Sequence, residues 1–168
     1  IGDDAFTGSG LTQLVAPTTL ETLGRTVASD TALTFSGEDA SFTIAPGGIL
    51  ELDQFGGLYR NTSQGKHFVR MLDDEAREYT VLEGTLEIEP QAFAHHLHIV
   101  EVHLPQGLRK IGDAAFRDCH DLARADFPST LEEVGNEAFL DTSLERVLIP
   151  RSLRRLGDSA LVTHGAHN

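Results

Sequence analysis

Apolar residues recur along this chain in short runs that alternate with polar residues. Each run has an apolar residue at its first, fourth and sixth positions and a proline at its seventh. Alternation of this kind predicts a short strand with one buried face, and the proline ends the strand because it has no N–H for the ladder. In the last run, for example, the alternation places Val147 and Ile149 inside. The four runs are LTQLVAP (11–17), IVEVHLP (99–105), LARADFP (122–128) and LERVLIP (144–150).

A block of six residues, of the form Ile-Gly-x-x-Ala-Phe, begins six residues after each proline. The chain also opens on such a block, IGDDAF (1–6), and the block at Leu23-Gly24 is a decayed copy, LGRTVA (23–28). The period of the array lies within the range of about 20–29 residues that is typical of leucine-rich repeats. In the second half of the chain the blocks are 23, 23 and 22 residues apart and start at Ile88, Ile111, Val134 and Leu156.

Packing explains why the block recurs. One repeat unit cannot bury its apolar side alone, so the units stack as coils that share an interior. We therefore expect Phe93, Phe116 and Phe139 to pile up in a single column. The glycine at the second block position supplies either a backbone conformation or a close approach that a side chain would block. The predicted fold is a right-handed leucine-rich-repeat solenoid, α/β or mainly β, with short stacked parallel strands and helical or irregular turns.

Between residues 36 and 80 the repeat period is lost. A flexible linker is one interpretation, but residues such as Phe42, Tyr59 and Phe68 make the segment too apolar to be solvated. Three stretches alternate as short strands, with NTSQG (61–65) as a hairpin turn; they are ILELDQF (49–55), GLYRN (57–61) and KHFVRML (66–72). We therefore predict a β-rich island that interrupts the solenoid. The predicted domains are N-terminal repeats at 1–35, the island at 36–80 and C-terminal repeats at 81–168.

The runs, the blocks and the position of Cys119, three residues after a block phenylalanine, together resemble the BspA-like class of bacterial leucine-rich repeats. The resemblance covers residues 1–28 and 81–161, and GGLYRNTSQGKHFVRM resembles the segment that interrupts such arrays. It implies a curved solenoid on a secreted or surface-anchored bacterial protein that acts in adhesion or protein binding, and it carries over no catalytic residue. Leu82 stands where a proline is expected and Leu161 replaces the last phenylalanine, so we expect ragged or capping ends.

Charge and composition narrow the classes of partner. The chain has 168 residues, with 26 Asp and Glu against 13 Lys and Arg, and its formal net charge of −13 repels nucleic acids and anionic lipids. No apolar stretch approaches the roughly 18 residues of a membrane span, so we expect no direct membrane insertion. The single cysteine excludes an internal disulfide. No basic, apolar leader precedes Ile1, and we expect a monomeric piece of a longer protein that is extracellular or at the bacterial cell surface.

Eight histidines raise the question of a metal site. His96 and Cys119 each lie three residues after a block phenylalanine, so they occupy equivalent positions in adjacent coils, about 5 Å apart. A transition metal needs at least three such ligands, and the equivalent residues elsewhere are Thr142 and Ser9. We therefore predict histidines at exposed turns, a small buried Cys119, no metal site and no cofactor.

No arrangement of residues in the sequence points to an enzyme. A Gly-x-Ser-x-Gly nucleophile elbow is absent, and acidic runs such as Asp73-Asp74-Glu75 are typical of a solvated face. The predicted function is a non-catalytic protein-binding or adhesion module. Two alternatives stay open: a structural spacer in a larger surface protein and, with the histidines as ligands, a metal-dependent hydrolase.

A solenoid binds its partners with the outward residues of its stacked strands, which form a continuous concave sheet. The expected partner is an extracellular protein or another macromolecule. Opposite charges in one column, such as Glu101 and Arg124, are equally compatible with ion pairs that stabilise the sheet. The alternation of the runs gives the candidate binding residues Thr12, Gln13, Val15, Val100, Glu101, His103, Ala123, Arg124, Asp126, Glu145, Arg146 and Leu148.

Overall fold

The computed structural model describes residues 1–24 and 33–163, so most of the decayed block LGRTVA and the end of the polar tail, 164–168, lie outside the described residues. The described residues form strands and no helix, and hence no helix long and apolar enough to cross a membrane. The predicted solenoid is thus mainly β, with irregular turns. The strands are β1 (Leu14–Ala16), β2 (Phe42–Ile44), β3 (Leu50–Leu52), β4 (Gly57–Asn61), β5 (Lys66–Met71), β6 (Glu78–Thr80), β7 (Thr85–Ile88), β8 (Glu101–His103), β9 (Lys110–Ile111), β10 (Glu133–Val134) and β11 (Arg155–Leu156).

Two sets of parallel strands stack the coils. The corner strands β7, β9, β10 and β11 lead into the blocks and pair in parallel within a seven-stranded sheet of order β11-β10-β9-β7-β5-β4-β3. The run strands form two smaller parallel sheets, β1-β2 and β6-β8. The parallel stacking predicted from the repeat is confirmed. The first residues of four successive blocks lie side by side along the corner sheet: Ile88, Ile111, Val134 and Leu156.

The block phenylalanines form the predicted column. The rings of Phe93, Phe116 and Phe139 are stacked, with centroids 4.8 Å and 4.9 Å apart and with planes inclined by 12° and 9°. All three rings are buried. The column continues beyond the repeats, because Phe68 of β5 stacks on Phe93 with a centroid distance of 4.9 Å. Four stacked rings therefore form the centre of this interior.

The blocks that begin at Ile1, Ile88, Ile111 and Val134 turn the chain through a corner that contains two left-handed residues. In the coil of Phe116 these are Ala114 (φ 54°) and Asp118 (φ 61°). Backbone bonds tie the corner to the next coil, as where the Phe116 N–H donates to the Ala138 carbonyl at 2.7 Å. The recurrence of this geometry shows that the block has a structural role. The equivalent left-handed residues are Asp4, Gln91, Glu137 and Ser159 at the fourth block position, and His95 and Asp141 two residues after the phenylalanine.

A close approach between coils requires the block glycine. A Cβ added to Gly135 would lie 2.6 Å from the Asp113 nitrogen, and one added to Gly157 would lie 2.5 Å from the Asn136 nitrogen. Gly2, on the outer edge of the first coil, has nothing within 4 Å of the same position. None of these glycines has a positive φ. Of the two roles predicted for this glycine, the structure therefore supports the close approach.

The centre of the island, from β3 to β5, is an antiparallel meander. β3 pairs with β4 and β4 with β5, and the Thr62 N–H donates to the Gly65 carbonyl at 2.8 Å in the turn, so the strands and hairpin predicted over 49–72 are confirmed. β5 then runs parallel to β7 and joins the meander to the corner sheet. β2 pairs in parallel with β1, so stacking on the N-terminal repeats extends into the segment 36–80.

The hairpin of β4 and β5 divides the shared interior that the sequence predicts. Tyr59 and Phe68 pack into a C-terminal interior that contains the phenylalanine column. Their chain neighbours Leu58 and Val69 pack into an N-terminal interior around Phe42. All five residues are at most 9 % exposed. Both faces of the hairpin are therefore buried, as in the strands of a covered parallel sheet.

Candidate functional site

The outward side of the run strands carries many of the candidate binding residues. On β8, Val102 is buried while Glu101 and His103 point outward, because successive side chains of a strand alternate. β6 repeats this arrangement with Tyr79 as its buried residue. We call the outward side of β6, β8 and the equivalent run residues of later coils the run-strand face.

Parallel pairing fixes which outward side chains are neighbours. Glu78 lies beside Glu101 and Thr80 beside His103. An isolated bridge places Arg124 beside Glu101 on the next coil. The predicted neighbourhood of Glu101 and Arg124 is therefore confirmed, and Glu78 extends their column by one coil.

Polar contacts link these neighbours. The Nε2 atom of His103 lies 2.6 Å from Oε1 of Glu78 and 3.9 Å from Oε1 of Glu101. On the opposite side of Glu101, its Oε2 atom lies 3.6 Å from Nη2 of Arg124, whose side chain is 70 % exposed. The contact between Glu101 and Arg124 is an exposed ion pair, and such a pair contributes about 0.2–1 kcal/mol. The contacts orient the side chains and leave them accessible.

The exposure of the twelve candidate residues follows the alternation closely. Nine are exposed and three are half-buried. The half-buried residues are Glu101, whose carboxylate is between two partners, and Val100 and Ala123, which occupy the second position of their runs. The exposed residues are Thr12, Gln13, Val15, His103, Arg124, Asp126, Glu145, Arg146 and Leu148.

The structure does not bring these twelve residues into one sheet. Thr12, Gln13 and Val15 lie in or just before β1, which pairs with β2 and with neither β6 nor β8. Residues 144–150 of the last run form no strand. The part of the face that backbone pairing holds together therefore extends from β6 through β8 to Arg124.

The strand predicted at LERVLIP is therefore wrong. Val147 packs partly against the interior, as expected, but Ile149 is 51 % exposed and the adjacent Leu148 is 69 % exposed. The backbone bond from the Ser143 N–H to the Leu122 carbonyl, 2.9 Å long, precedes the run, and no ladder continues it. The strand predicted at LARADFP (122–128) is wrong as well, because that run keeps only the isolated bridge between Arg124 and Glu101.

Sequence reasoning missed Glu78 and Thr80, because the repeat period was not traced into the segment that contains them. A signal was present, since Leu82 stands at the proline position of a run and precedes Pro105 by 23 residues, one repeat period. Treating Leu82 as a substitute for the proline would have placed Glu78 beside Glu101, as the structure does.

His96 caps a turn from inside the fold. It is 5 % exposed, so the prediction of an exposed turn is wrong for this histidine, whereas His95 and His98 are exposed as expected. The Ile99 N–H donates to Nδ1 of His96 at 3.1 Å, and Nε2 lies 2.8 Å from the Asp73 carbonyl oxygen. Both ring nitrogens therefore make hydrogen bonds with backbone groups.

Cys119 has the same kind of role in the next coil. It is buried, as predicted, and its Sγ donates to the Phe93 carbonyl at 2.9 Å. Burial raises the pKa of the thiol to about 12, so the thiolate that a nucleophile requires does not form near neutral pH. At the equivalent position one coil further, Thr142 is buried and donates to the Phe139 carbonyl at 2.9 Å.

A chain of hydrogen bonds between buried hydroxyl groups lies beneath β6. The Leu82 N–H donates to the Tyr59 hydroxyl at 2.9 Å, and the hydroxyl oxygens of Tyr59 and Tyr79 are 2.6 Å apart. The Tyr79 hydroxyl donates to Oδ2 of Asp53 at 2.5 Å. Burial raises the pKa of Tyr59 to about 12 and also raises the pKa of Tyr79. Both phenols therefore stay protonated at neutral pH and join the island to the C-terminal coils.

A shallow depression adjoins the run-strand face on the side of the island. Its volume is about 240 Å³, and its lining includes Phe55, Asp73 and Glu78. The Phe55 side chain is 59 % exposed. An exposed aromatic ring beside carboxylates suits a cationic side chain.

Comparison with known sequences gives a family match. A sequence model of the BspA type leucine rich repeat region matches residues 76–164 in six copies. The matched segment includes β6, β8 and Arg124, and thus the paired part of the run-strand face. No curated protein matches the chain.

Three bacterial proteins of known structure have similar folds. A leucine rich repeat protein of T. pallidum is 30% identical over 61% of this chain and 51% of its own, with a TM-score of 0.56. The pneumococcal vaccine antigen PcpA is 21% identical over 94% of this chain and 38% of its own, with a TM-score of 0.66. A leucine rich cell surface protein of Faecalibacterium prausnitzii is 20% identical over 98% of this chain and 49% of its own, with a TM-score of 0.55. The chain therefore spans about half or less of the length of these three proteins.

Proposed function

Because the chain belongs to the family of BspA-type leucine-rich repeat proteins, we propose that it is a non-catalytic module that binds an extracellular protein or another macromolecule at a bacterial cell surface. It acts as a monomer, and the run-strand face is its binding surface. The observation that carries the proposal is the paired, outward row of β6, β8 and Arg124.

Rigidity and charge support this assignment. The backbone of the face is fixed by strand pairing, and side chains on rigid strands are positioned more precisely than those on loops. Glu101 and Arg124 present both signs of charge within one column. Complementary charges on a partner would steer its approach and set its register. The overall charge of −13 continues to disfavour nucleic acid as that partner.

Charge reversal on the face tests the proposal. The unaltered chain and the double variant Arg124→Glu and Arg146→Glu are assayed against a panel of extracellular-matrix proteins. The double variant should lose, or bind much more weakly, the proteins that the unaltered chain binds. The matched control reverses Arg109 and Arg154, two exposed arginines that immediately precede the corner strands β9 and β11. Equal binding by the unaltered chain and both double variants would assign the interaction to another surface.

A structural spacer is the second candidate function. The stacked column from Phe68 through Phe139 makes the C-terminal coils one continuous packed unit, as a stiff spacer requires. A spacer predicts that this segment binds no member of the panel, whereas the longer protein that contains it does. Binding by the segment alone supports the binding module.

A further inference from the structure

We propose that Glu78, Glu101 and His103 form a surface site for one divalent transition-metal ion such as Zn²⁺. A carboxylate oxygen of each glutamate and a ring nitrogen of the histidine all lie within 4.8 Å of one another. The site lies on the run-strand face, yet it depends only on these three side chains. Metal binding can therefore be tested in the absence of any macromolecular partner, and its outcome does not depend on the proposed function.

Strand pairing creates the site. The parallel register of β6 and β8 places Glu78 directly beside Glu101, and two like charges opposite each other destabilise a sheet. His103 is two residues beyond Glu101, so its side chain emerges on the same face. A cation held among the three side chains offsets the repulsion between the two carboxylates.

The two oxygens of Glu101 already face different partners. Oε2 lies 3.6 Å from Nη2 of Arg124, whereas Oε1 lies on the side of His103, 3.9 Å from its Nε2. Arg124 therefore holds one oxygen and leaves the other directed toward the site. In this way the neighbouring coil orients a ligand without blocking it, as supporting residues around metal sites do.

The ligand chemistry fits zinc. Imidazole nitrogen and carboxylate oxygen are ligands that Zn²⁺ takes at about 2.0–2.2 Å. The 2.6 Å contact between Nε2 of His103 and Oε1 of Glu78 is a hydrogen bond, which must open to about 3.3 Å for both atoms to bind one tetrahedral ion. Their side chains are 45 % and 63 % exposed, so this movement disturbs no packing. Three protein ligands leave further coordination positions for water or an outside group.

Titration of the chain, free of any affinity tag, with ZnCl₂ tests the site. We expect one Zn²⁺ ion per chain by calorimetry. His103→Ala should weaken binding by about tenfold or more, because loss of even an outer partner of a metal ligand typically costs that much. Glu78→Gln keeps the size of the side chain and should weaken binding similarly. His98→Ala, another exposed histidine outside the cluster, is the matched control and should bind as the unaltered chain does.

Melting of the metal-free variants confirms that each is folded, and the three altered side chains are all exposed, so no unfolding is expected. Zinc should then raise the melting temperature of the unaltered chain and of His98→Ala more than that of His103→Ala. Absence of binding by the unaltered chain would overturn the proposal. So would binding that survives His103→Ala but is lost in His95→Ala, since His95 lies 2.9 Å from Asp118 in a separate cluster.

Discussion

Phe68 lies face to face on Phe93, with ring centroids 4.9 Å apart and planes inclined by 13°. Phe93 belongs to a repeat block, whereas Phe68 belongs to β5 of the antiparallel hairpin. In the parallel pairing of β5 with β7, Phe68 lies beside Ile88, the first residue of that block. A residue from outside the repeat thus supplies the first ring of the repeat's own column. One face of the island's hairpin and the C-terminal coils consequently share a packed interior, and the stability of each depends on the other.

Truncating a ring in the middle of the column should be costly. Phe116 is fully buried between Phe93 and Phe139, and Phe116→Ala removes both stacking contacts and leaves a cavity. We expect the free energy of unfolding, measured by denaturant titration, to fall by about 3–5 kcal/mol. Phe55→Ala, at a ring that is 59 % exposed, should change it by no more than about 0.5 kcal/mol. Similar losses in the two variants would contradict the column.

The block glycines offer a comparison at equivalent positions. In Gly135→Ala the new Cβ would lie 2.6 Å from the backbone nitrogen of Asp113, so the coils must separate. We expect a loss of about 1–3 kcal/mol in the free energy of unfolding, the usual cost of overpacking. Gly2→Ala meets nothing within 4 Å and should change stability by about 0.5 kcal/mol or less. If both substitutions are neutral, close approach is not the reason for the glycine.

The two tyrosines should ionise at a higher pH in the folded chain than in the unfolded chain. The chain has two tyrosines, Tyr59 and Tyr79, so the tyrosinate absorbance reports on the buried hydroxyl chain alone. Burial raises the pKa of Tyr59 to about 12 and raises the pKa of Tyr79 too, whereas an unfolded tyrosine titrates near about 10. We expect no ionisation of the folded chain near pH 10 and a normal titration in urea.

The same shift makes stability depend on pH. As pH rises through about 10, the unfolded chain releases its phenolic protons while the folded chain retains them, so the free energy of unfolding falls as pH rises from about 10 toward 12. The buried Cys119 thiol, whose pKa is also raised to about 12, adds a fall that begins at about pH 8.5. Tyr59→Phe removes one of the two shifted phenols and leaves the thiol in place, so it should flatten the part of the fall above about pH 10. An equally steep fall in Tyr59→Phe would assign the pH dependence to other groups.

The thiol should be inert until the chain unfolds. Cys119 is buried and burial raises its pKa to about 12, so a thiol reagent at pH 8 finds almost no thiolate. We expect no labelling of the folded chain and one label per chain in denaturant. Thr43→Cys places a second thiol at an exposed position, and this variant should take up one label while folded. Rapid labelling of Cys119 in the folded chain would contradict its burial.

The sequence predicts most of the C-terminal fold, because residues that are one repeat period apart occupy equivalent positions in adjacent coils. Once the block recurs every 22 or 23 residues, residues at one phase must stack, and the column of Phe93, Phe116 and Phe139 follows. The burial of Cys119 follows in the same way. The glycine could be assigned a structural role but not a specific one, since a positive φ and a close approach leave the same signal in the sequence.

Spacing fails where the chain reverses. β4 and β5 are antiparallel, so the position of Phe68 is set by hairpin register and not by a repeat period, and the stacking of Phe68 on Phe93 could not be read from the sequence. His96 escaped prediction for another reason, since its burial depends on two backbone groups, the Ile99 N–H and the Asp73 carbonyl, that meet only in the folded structure.

The sequence predicts which side chains of the runs point outward, but not how many residues the run-strand face includes. Alternation along the runs correctly orients residues such as His103 and Arg124 outward. It cannot show whether a run will pair along its length. The run at 122–128 keeps only an isolated bridge and the run at 144–150 none, so neither forms the strand that its pattern favours. Nor does alternation show that Glu78 joins the face, because the run that contains it ends in Leu82 instead of a proline.

The hairpin with two buried faces also determines how the protein comes apart. Leu58 and Tyr59 are adjacent on β4 but pack into different interiors. Unfolding of either stack of coils would therefore expose one face of β4, while its other face still packs against the remaining stack. Loss of one half therefore removes support from the other. A repeat array that could otherwise fray coil by coil is thereby coupled into one cooperative unit, which should lose its structure in a single thermal transition.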